Sequence, residues 1–281
     1  MTTPRIMICG STGMLGSYMW RYLNREFECT RLDRDQVDVC EITGFQNQFL
    51  LDVLVEQHTH VINCVGVLKP NIKHVGVDNT VLINTVWPQM LQQSCVKHDT
   101  RLIHISSDCV FSGRAGNYVE TDTPDGLDLY ARTKSLEPQG ACVIRTSFVG
   151  DDTRRQGRGL LQWVLRQTDT MPGYVNCLWN GVTCLELCEQ ITRMIKTDRL
   201  WSGVRHMFSN QVISKYQLCK HIVECYGKHI EVVKTRADMI EGTVVDDVLD
   251  RSLRTVHEDA PIVTNDIASM LEYQRSFDQL S

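Results

Sequence analysis

Residues 101–134 read RLIHISSDCVFSGRAGNYVETDTPDGLDLYARTK. The run Leu102-Ile103-His104-Ile105 is short, apolar and β-branched, the pattern of a buried strand. It stops abruptly in Ser106, Ser107, Asp108 and Cys109, so hydroxyls, a carboxylate and a thiol stand at a strand's carboxyl end. In an open α/β sheet ligands bind there. A loop rich in Gly, Asp and Pro follows, Ser112 to Asp128, and then Tyr130 and Lys134, one helical turn apart on the same face. An ammonium beside a phenol favours the phenolate, which lowers the tyrosine pKa from its ordinary value of about 10 and lets it donate a proton nearer neutrality. Taken alone, a Tyr and a Lys at this spacing describe many solvated helix faces.

A second stretch changes their weight. Arg5-Ile-Met-Ile-Cys9 is a short apolar strand running into Gly10-Ser11-Thr12-Gly13-Met14-Leu15-Gly16 and a helix-like segment. Such a turn leaves backbone N–H groups at a helix N-terminus, free to hold a pyrophosphate. The spacing is Gly-x-x-Gly-x-x-Gly and not the commoner Gly-x-Gly-x-x-Gly, and an ordinary turn is the competing reading.

The Gly10/Gly13/Gly16 turn, the strand ending Ser107-Asp108-Cys109-Val110-Phe111 and the Tyr130/Lys134 pair, in that order, resemble the extended short-chain dehydrogenase/reductases. Within them the chain is most similar to the dTDP-4-dehydrorhamnose reductase group of nucleotide-sugar reductases. Arg145-Thr-Ser and Trp179-Asn-Gly-Val-Thr183 extend the likeness, which weakens after Gly150. The resemblance implies an α/β fold, a Rossmann-type doubly wound parallel sheet over 1–150, with a smaller nucleotide-sugar-binding lobe over 151–281, some of whose segments return to the sheet. It also implies NADPH or NADH as cofactor and a UDP- or dTDP-linked sugar as substrate.

With 281 residues the chain is one large domain or a two-lobed unit. A net charge of −5 and no basic stripe argue against nucleic acid and membrane surfaces as partners. No apolar run has the length of a transmembrane helix, and the first strand begins at Arg5 without the apolar stretch of a signal peptide. The twelve cysteines are scattered through apolar segments with no Cys-x-x-Cys. They read as buried thiols of a reducing, cytoplasmic protein and give no sign of a metal site.

From Arg5 to about Leu82 short apolar runs alternate with amphipathic ones, as in βαβ units. Phe27 to Leu32 is the expected second strand. Asp33 at its end lies twenty residues beyond Gly13, where an acid typically binds the adenine ribose and argues for NADH. Arg31 and Arg34 flank it and suit the 2′-phosphate of NADPH, so the choice stays open. By resemblance Asp38 approaches the adenine. His60 to Gly66 is another buried strand, with Asn63, Cys64 and Val65 expected to face the cofactor. Asn84 falls in an expected helix, Val81 to Cys95, where related enzymes use an asparagine to brace the active-site backbone.

The implied chemistry reduces a 4-keto group on a sugar. Negative charge builds on that oxygen and calls for a proton donor. Tyr130 is the candidate acid, Lys134 lowers its pKa and orients the nicotinamide ribose, and Ser107 donates a hydrogen bond to the same oxygen, with Asp108 close by. Cys109 matches the place where GDP-fucose synthase and the UDP-rhamnose epimerase/reductases carry a cysteine that removes a proton beside the ketone. The partner acid such epimerisation needs has no clear match here, and an ordinary buried thiol is the competing reading. Asp108-Cys109 also breaks the Asp-Glu pair of the 4,6-dehydratases, which weighs against a dehydratase.

After the lysine the family's Gly-Glu is replaced by Leu136-Glu137-Pro138, so the Tyr/Lys helix should be short. Beyond Gly150, Gly159 to Gln167, Leu185 to Thr197 and Lys215 to Tyr226 read as amphipathic helices, the last with Ser214 as N-cap. This lobe is expected to close over the nucleotide-sugar. Arg154, Arg155 or Arg158 would stand near its diphosphate, and Asn180 and Thr183 would line the sugar pocket. A C4 epimerase and a catalytically silent interaction protein, like the regulatory subunit of methionine adenosyltransferase, remain alternatives on the same fold. A monomer or homodimer is expected.

Overall fold

The computed structural model describes residues 3–41, 45–152, 157, 159–240, 243–263 and 267–280. Its first element, β1 (Arg5–Cys9), carries four fully buried apolar residues, Ile6 to Cys9. Because strand side chains alternate, burial of all four means that both faces of the sheet are covered. Each contributes about 1.5–3 kcal/mol relative to exposure.

The turn Gly10–Gly13 leads into helix α1 (Met14–Leu23). Strand β2 (Glu28–Leu32) lies parallel to β1 and starts one residue later than expected. Helix α2 (Phe45–Glu56) then crosses to β3 (His60–Asn63), which pairs with β1 on its other side. Next to β3 comes β4 (Arg101–Ser107), then β5 (Cys142–Thr146), and at the edge the strand Gly203–His206. The central parallel sheet thus has six strands in the order β2, β1, β3, β4, β5, Gly203–His206. The order reverses between β1 and β3, the switch point at which a doubly wound sheet opens a crevice at its carboxyl edge. Met7, Cys9, Leu51, Val55, Trp87, Leu91 and Val143 belong to the core on one face.

The chain forms two compact units, and they interleave. The first holds Met1–Val110, Leu127–Arg145 and Cys188–Arg205; the second holds Phe111–Gly126, Thr146–Leu187 and His206–Ser281. Among the segments after residue 150, Cys188–Arg205 goes with the first unit. Phe111–Gly126 goes with the second unit because Tyr118 bridges Leu253, and its N–H donates to Ser252 O at 2.9 Å.

Among the described residues, the second unit holds short strand pairs, a three-stranded sheet and the helices Leu160–Leu165, Lys215–Cys225 and Ile267–Gln279, around Leu161, Trp179, Leu218, Ile222 and Leu271. Ser214 caps the second of these in a reciprocal box: its Oγ accepts from Gln217 N at 3.2 Å, and its own N–H donates to Gln217 Oε1 at 2.8 Å.

Candidate active site

The glycine turn is shaped by close approach. Gly10 has φ +76°, a backbone that L side chains rarely adopt. A Cβ on Gly16 would stand 2.1 Å from Gly10 O, so only glycine lets α1 start this near the turn. Thr12 is exposed, Gly13 is the N-cap, and Met14 and Leu15 open the helix. Ser11 Oγ is buried in the turn without a hydrogen-bond partner among the described residues. An orphaned hydroxyl and open N–H groups at a helix N-terminus fit a diphosphate.

At the end of β2, Asp33 accepts from Asp35 N at 3.1 Å. The flanking arginines are engaged: Arg34 Nε lies 2.8 Å from Asp38 Oδ2, and the Arg31 guanidinium stacks 3.5 Å from the Trp20 ring centroid. Asp38 also accepts from Cys40 N at 2.9 Å, and chiefly through the Arg34 hydrogen bond its carboxyl is held below the usual range. The Arg34 side chain is largely exposed, so water screens the pair and Arg34 is readily released.

The Asn63 side chain is fully buried, Oδ1 accepting from Val65 N (3.1 Å) and Trp87 Nε1 (3.2 Å), Nδ2 donating to His104 Nδ1 (3.0 Å). It orients Val65, whose backbone N would lie 3.2 Å from a Cβ on Gly10. His104 is held well below the usual imidazole range by burial and by the Lys134 charge, so it stays neutral. Burial pushes the Cys64 thiol up to about 12, with Lys134 opposing.

The expected helix around Asn84 is present with an unexpected turn. Leu82–Val86 is π-helical and continues into an α-helix, Trp87–Lys97. Pro88 supplies the reason: it has no N–H to give Asn84 O, and its ring would crowd that carbonyl in a regular α-turn. The wider turn aims two side chains at the Tyr/Lys helix. Asn84 Oδ1 accepts from Val67 N at 2.8 Å, and Nδ2 donates to Val67 O (3.1 Å) and Thr133 Oγ1 (3.2 Å). Thr85 Oγ1 donates to Thr133 O at 2.8 Å. Pro88 was the available sequence signal for this geometry.

The Tyr/Lys helix is Leu129–Lys134, short as Pro138 predicts. Asp128 caps it, accepting from Ala131 N at 2.9 Å, while its other oxygen lies 2.7 Å from Lys69 Nζ. Tyr130 and Lys134 are 8% and 5% exposed. Lys134 Nζ donates to Ile105 O at 3.0 Å, which places the ammonium beside the end of β4. Burial brings it down to about 8, against the pull of Glu137 and Cys64. A Cβ on exposed Gly66 would lie 3.9 Å from Nζ, so this glycine leaves the ammonium approachable.

At the end of β4 Ser107 is half-buried. Its Oγ donates to Asp108 Oδ1 at 3.2 Å and accepts from Cys109 N at 3.1 Å. Asp108 is buried and Cys109 half-buried in the turn Asp108–Val110. Past the lysine, Glu137 accepts from Ser106 Oγ at 2.7 Å and pairs with Arg145 at 2.8 Å.

In the second unit, Asn180 and Thr183 serve the backbone. Asn180 Nδ2 donates to Leu253 O and its Oδ1 accepts from Leu253 N, each at 2.9 Å. Thr183 Oγ1 accepts from Glu186 N at 3.1 Å at the start of the helix Cys184–Lys196. Both are buried, and these hydrogen bonds hold the local fold. Arg154, Arg155 and Arg158 lie outside the described residues.

The chain is similar to several known proteins. The dTDP-4-keto-6-deoxy-D-glucose reductase of Streptomyces niveus is 25% identical over 243 residues, covering 80% of this chain and 80% of that protein. Methionine adenosyltransferase 2 subunit beta of Xenopus laevis is 22% identical over 252 residues, 79% of this chain and 72% of that one. The dTDP-4-dehydrorhamnose reductase of Bacillus anthracis, solved in complex with NADP, superposes with a TM-score of 0.79 at 17% identity over 99% of this chain and 100% of that chain. Residues 4–241 match the family model described as RmlD substrate binding domain, and the chain belongs to that family.

Proposed function

We propose that this protein is an NADPH- or NADH-dependent reductase acting on the 4-keto group of a UDP- or dTDP-linked 4-keto-6-deoxy sugar, a precursor of the rhamnose or N-acetylrhamnosamine type. The observation that carries the reading is the buried Tyr130/Lys134 pair beside Ser107 at the carboxyl end of β4, in a sheet whose first turn fits a diphosphate. When bound, the reduced nicotinamide supplies hydride to the ketone carbon.

The chain's own residues do the rest. Gly10, Gly13 and Gly16 let the turn close on the diphosphate, and Ser11 gives it a hydroxyl. Asp33 meets the adenine ribose. Lys134 presents its ammonium to the nicotinamide ribose past Gly66. Tyr130 donates its proton to the ketone oxygen as charge develops there, and Lys134 favours the phenolate left behind. Ser107 donates to the same oxygen once its hydroxyl turns from Asp108. Cys109, two residues beyond Ser107, is the group placed to remove a proton from the carbon beside the ketone if the enzyme also epimerises C3 or C5.

The likeness to methionine adenosyltransferase 2 subunit beta favours one competing reading, a regulatory protein without catalysis. One experiment separates the three. The protein is mixed with NADPH and a 4-keto-6-deoxy nucleotide sugar in deuterium oxide, following cofactor absorbance and deuterium in the product. Oxidation without ring deuterium identifies a plain reductase. Oxidation with deuterium at C3 or C5, lost in Cys109→Ser, identifies an epimerase/reductase. Binding of NADPH without oxidation on several such sugars refutes the catalytic reading.

A further inference from the structure

Beneath the Tyr130/Lys134 helix lies a buried ion pair with no part in the proton transfer just described. Arg145, on β5, holds Glu137 with two nitrogens: Nη2 reaches Oε2 at 2.8 Å and Oε1 at 3.0 Å, and Nε reaches Oε1 at 3.1 Å. Ser106, beside Ser107 on β4, donates to the same Oε1 at 2.7 Å. The two charged side chains are 3% and 9% exposed. A buried pair gives little net stability over apolar packing of the same shape, so stability alone does not account for it.

Its neighbour does. Around Lys134 stand Tyr130 on its own helix, Cys64 after β3, His104 and the Ile105 carbonyl on β4, and Glu137 just past the helix end. His104 is neutral, and Glu137 is the foremost group favouring the ammonium. One carboxylate, fixed by three hydrogen bonds from Arg145 and one from Ser106, therefore stands just past Lys134, and the same Ser106 hydroxyl lies 3.5 Å from Lys134 O.

We propose that Glu137 is a positioning residue of this site: clamped by Arg145 and Ser106, its carboxylate fixes the exit of the Tyr130/Lys134 helix and serves as the counter-charge of the buried Lys134 ammonium. Its catalytic meaning rests on the reductase reading; the charge relation does not. Removing the charge of Glu137 leaves Lys134 to burial and to Arg145, and its protonation midpoint falls. Removing the charge of Arg145 leaves Glu137 to Lys134 alone, and the midpoint rises.

The test titrates Lys134 directly in the intact chain by NMR of carbon-13-labelled lysine side chains, its resonance assigned by absence in Lys134→Arg. In Glu137→Gln the midpoint falls from about 8 by about one pH unit or more. In Arg145→Gln it rises, and in Glu137→Asp it stays near the wild type. With a keto-sugar substrate, the alkaline limb of kcat/KM follows, a loss of about fivefold or more at the wild-type midpoint for Glu137→Gln. Loosened packing would hydrate Lys134 and move every variant upward, so opposite shifts are not a structural side effect. An unchanged or raised midpoint in Glu137→Gln overturns the proposal. If that variant does not fold, Arg145→Gln decides, and failure of its midpoint to rise overturns it. Because the titration needs no substrate, the expected shifts in a protein that reduces no keto sugar sink the reductase reading alone.

Discussion

Replacing Asn84 by alanine removes a side chain that joins the segment after β3 to the middle of the Tyr130/Lys134 helix. Val67, 6% exposed, loses the partners of both its N–H and its C=O. Each buried backbone group left unsatisfied costs about 1–3 kcal/mol. The lost bond to Thr133 adds about 0.5–1.5 kcal/mol. The expected destabilisation is about 4 kcal/mol, a large share of a total of about 5–15 kcal/mol. At roughly 2–4 °C per kcal/mol this lowers Tm by about 10 °C. Thermal unfolding read by circular dichroism measures it, with Asn84→Asp as the companion: it keeps the acceptor for Val67 N–H, loses both donors, and falls between alanine and wild type. A loss within about 1 kcal/mol for Asn84→Ala would mean that water satisfies Val67 equally well, and the bridging role assigned to the π-turn would be wrong.

Tyr130→Phe keeps the ring and removes the proton donor, so NADPH binding should persist while turnover of a keto sugar falls about 10²–10⁴-fold; comparable turnover would give the proton to another group. Gly16→Ala drives a methyl into Gly10 O, and dinucleotide affinity measured by fluorescence should collapse while urea unfolding still shows a cooperative fold. Lys134 carries a pH signature in stability. Below about pH 8 it is charged in both folded and unfolded chains and its burial cost is present in full; between about 8 and the ordinary 10.5 the folded chain sheds the proton first, so stability gains as pH rises. Lys134→Met should lose that alkaline gain in unfolding titrations, and an unaltered pH dependence would show the ammonium to be hydrated.

What could be read from the chain was local. The strand Arg5–Cys9 and its glycine turn declare themselves within twelve residues, because the apolar run, the φ demands and the helix start are all near neighbours. The short Tyr/Lys helix is bracketed by its own cap, Asp128, and its own stop, Pro138. Less legible were the partners of buried polar side chains, because they lie far off in sequence. Asn63 bonds Trp87 and His104, 24 and 41 residues on. Asn180 clamps Leu253, 73 residues away. Phe111–Gly126 reads as one loop between catalytic groups, yet its backbone partners lie beyond residue 250.

The edge position of Gly203–His206 has a bearing on synthesis. Gly203 N donates to Ala141 O at 2.8 Å, closing the sheet beside β5. While the ribosome is still adding residues 147–202, the nascent sheet ends at β5, whose open row of N–H and C=O groups invites pairing with any other extended chain. Cys142, Val143 and Ile144 on that strand are apolar and destined for burial, which sharpens the hazard. Truncations ending before residue 203 should therefore be recovered mainly as aggregates, and chaperone dependence should peak in the interval before that last strand emerges.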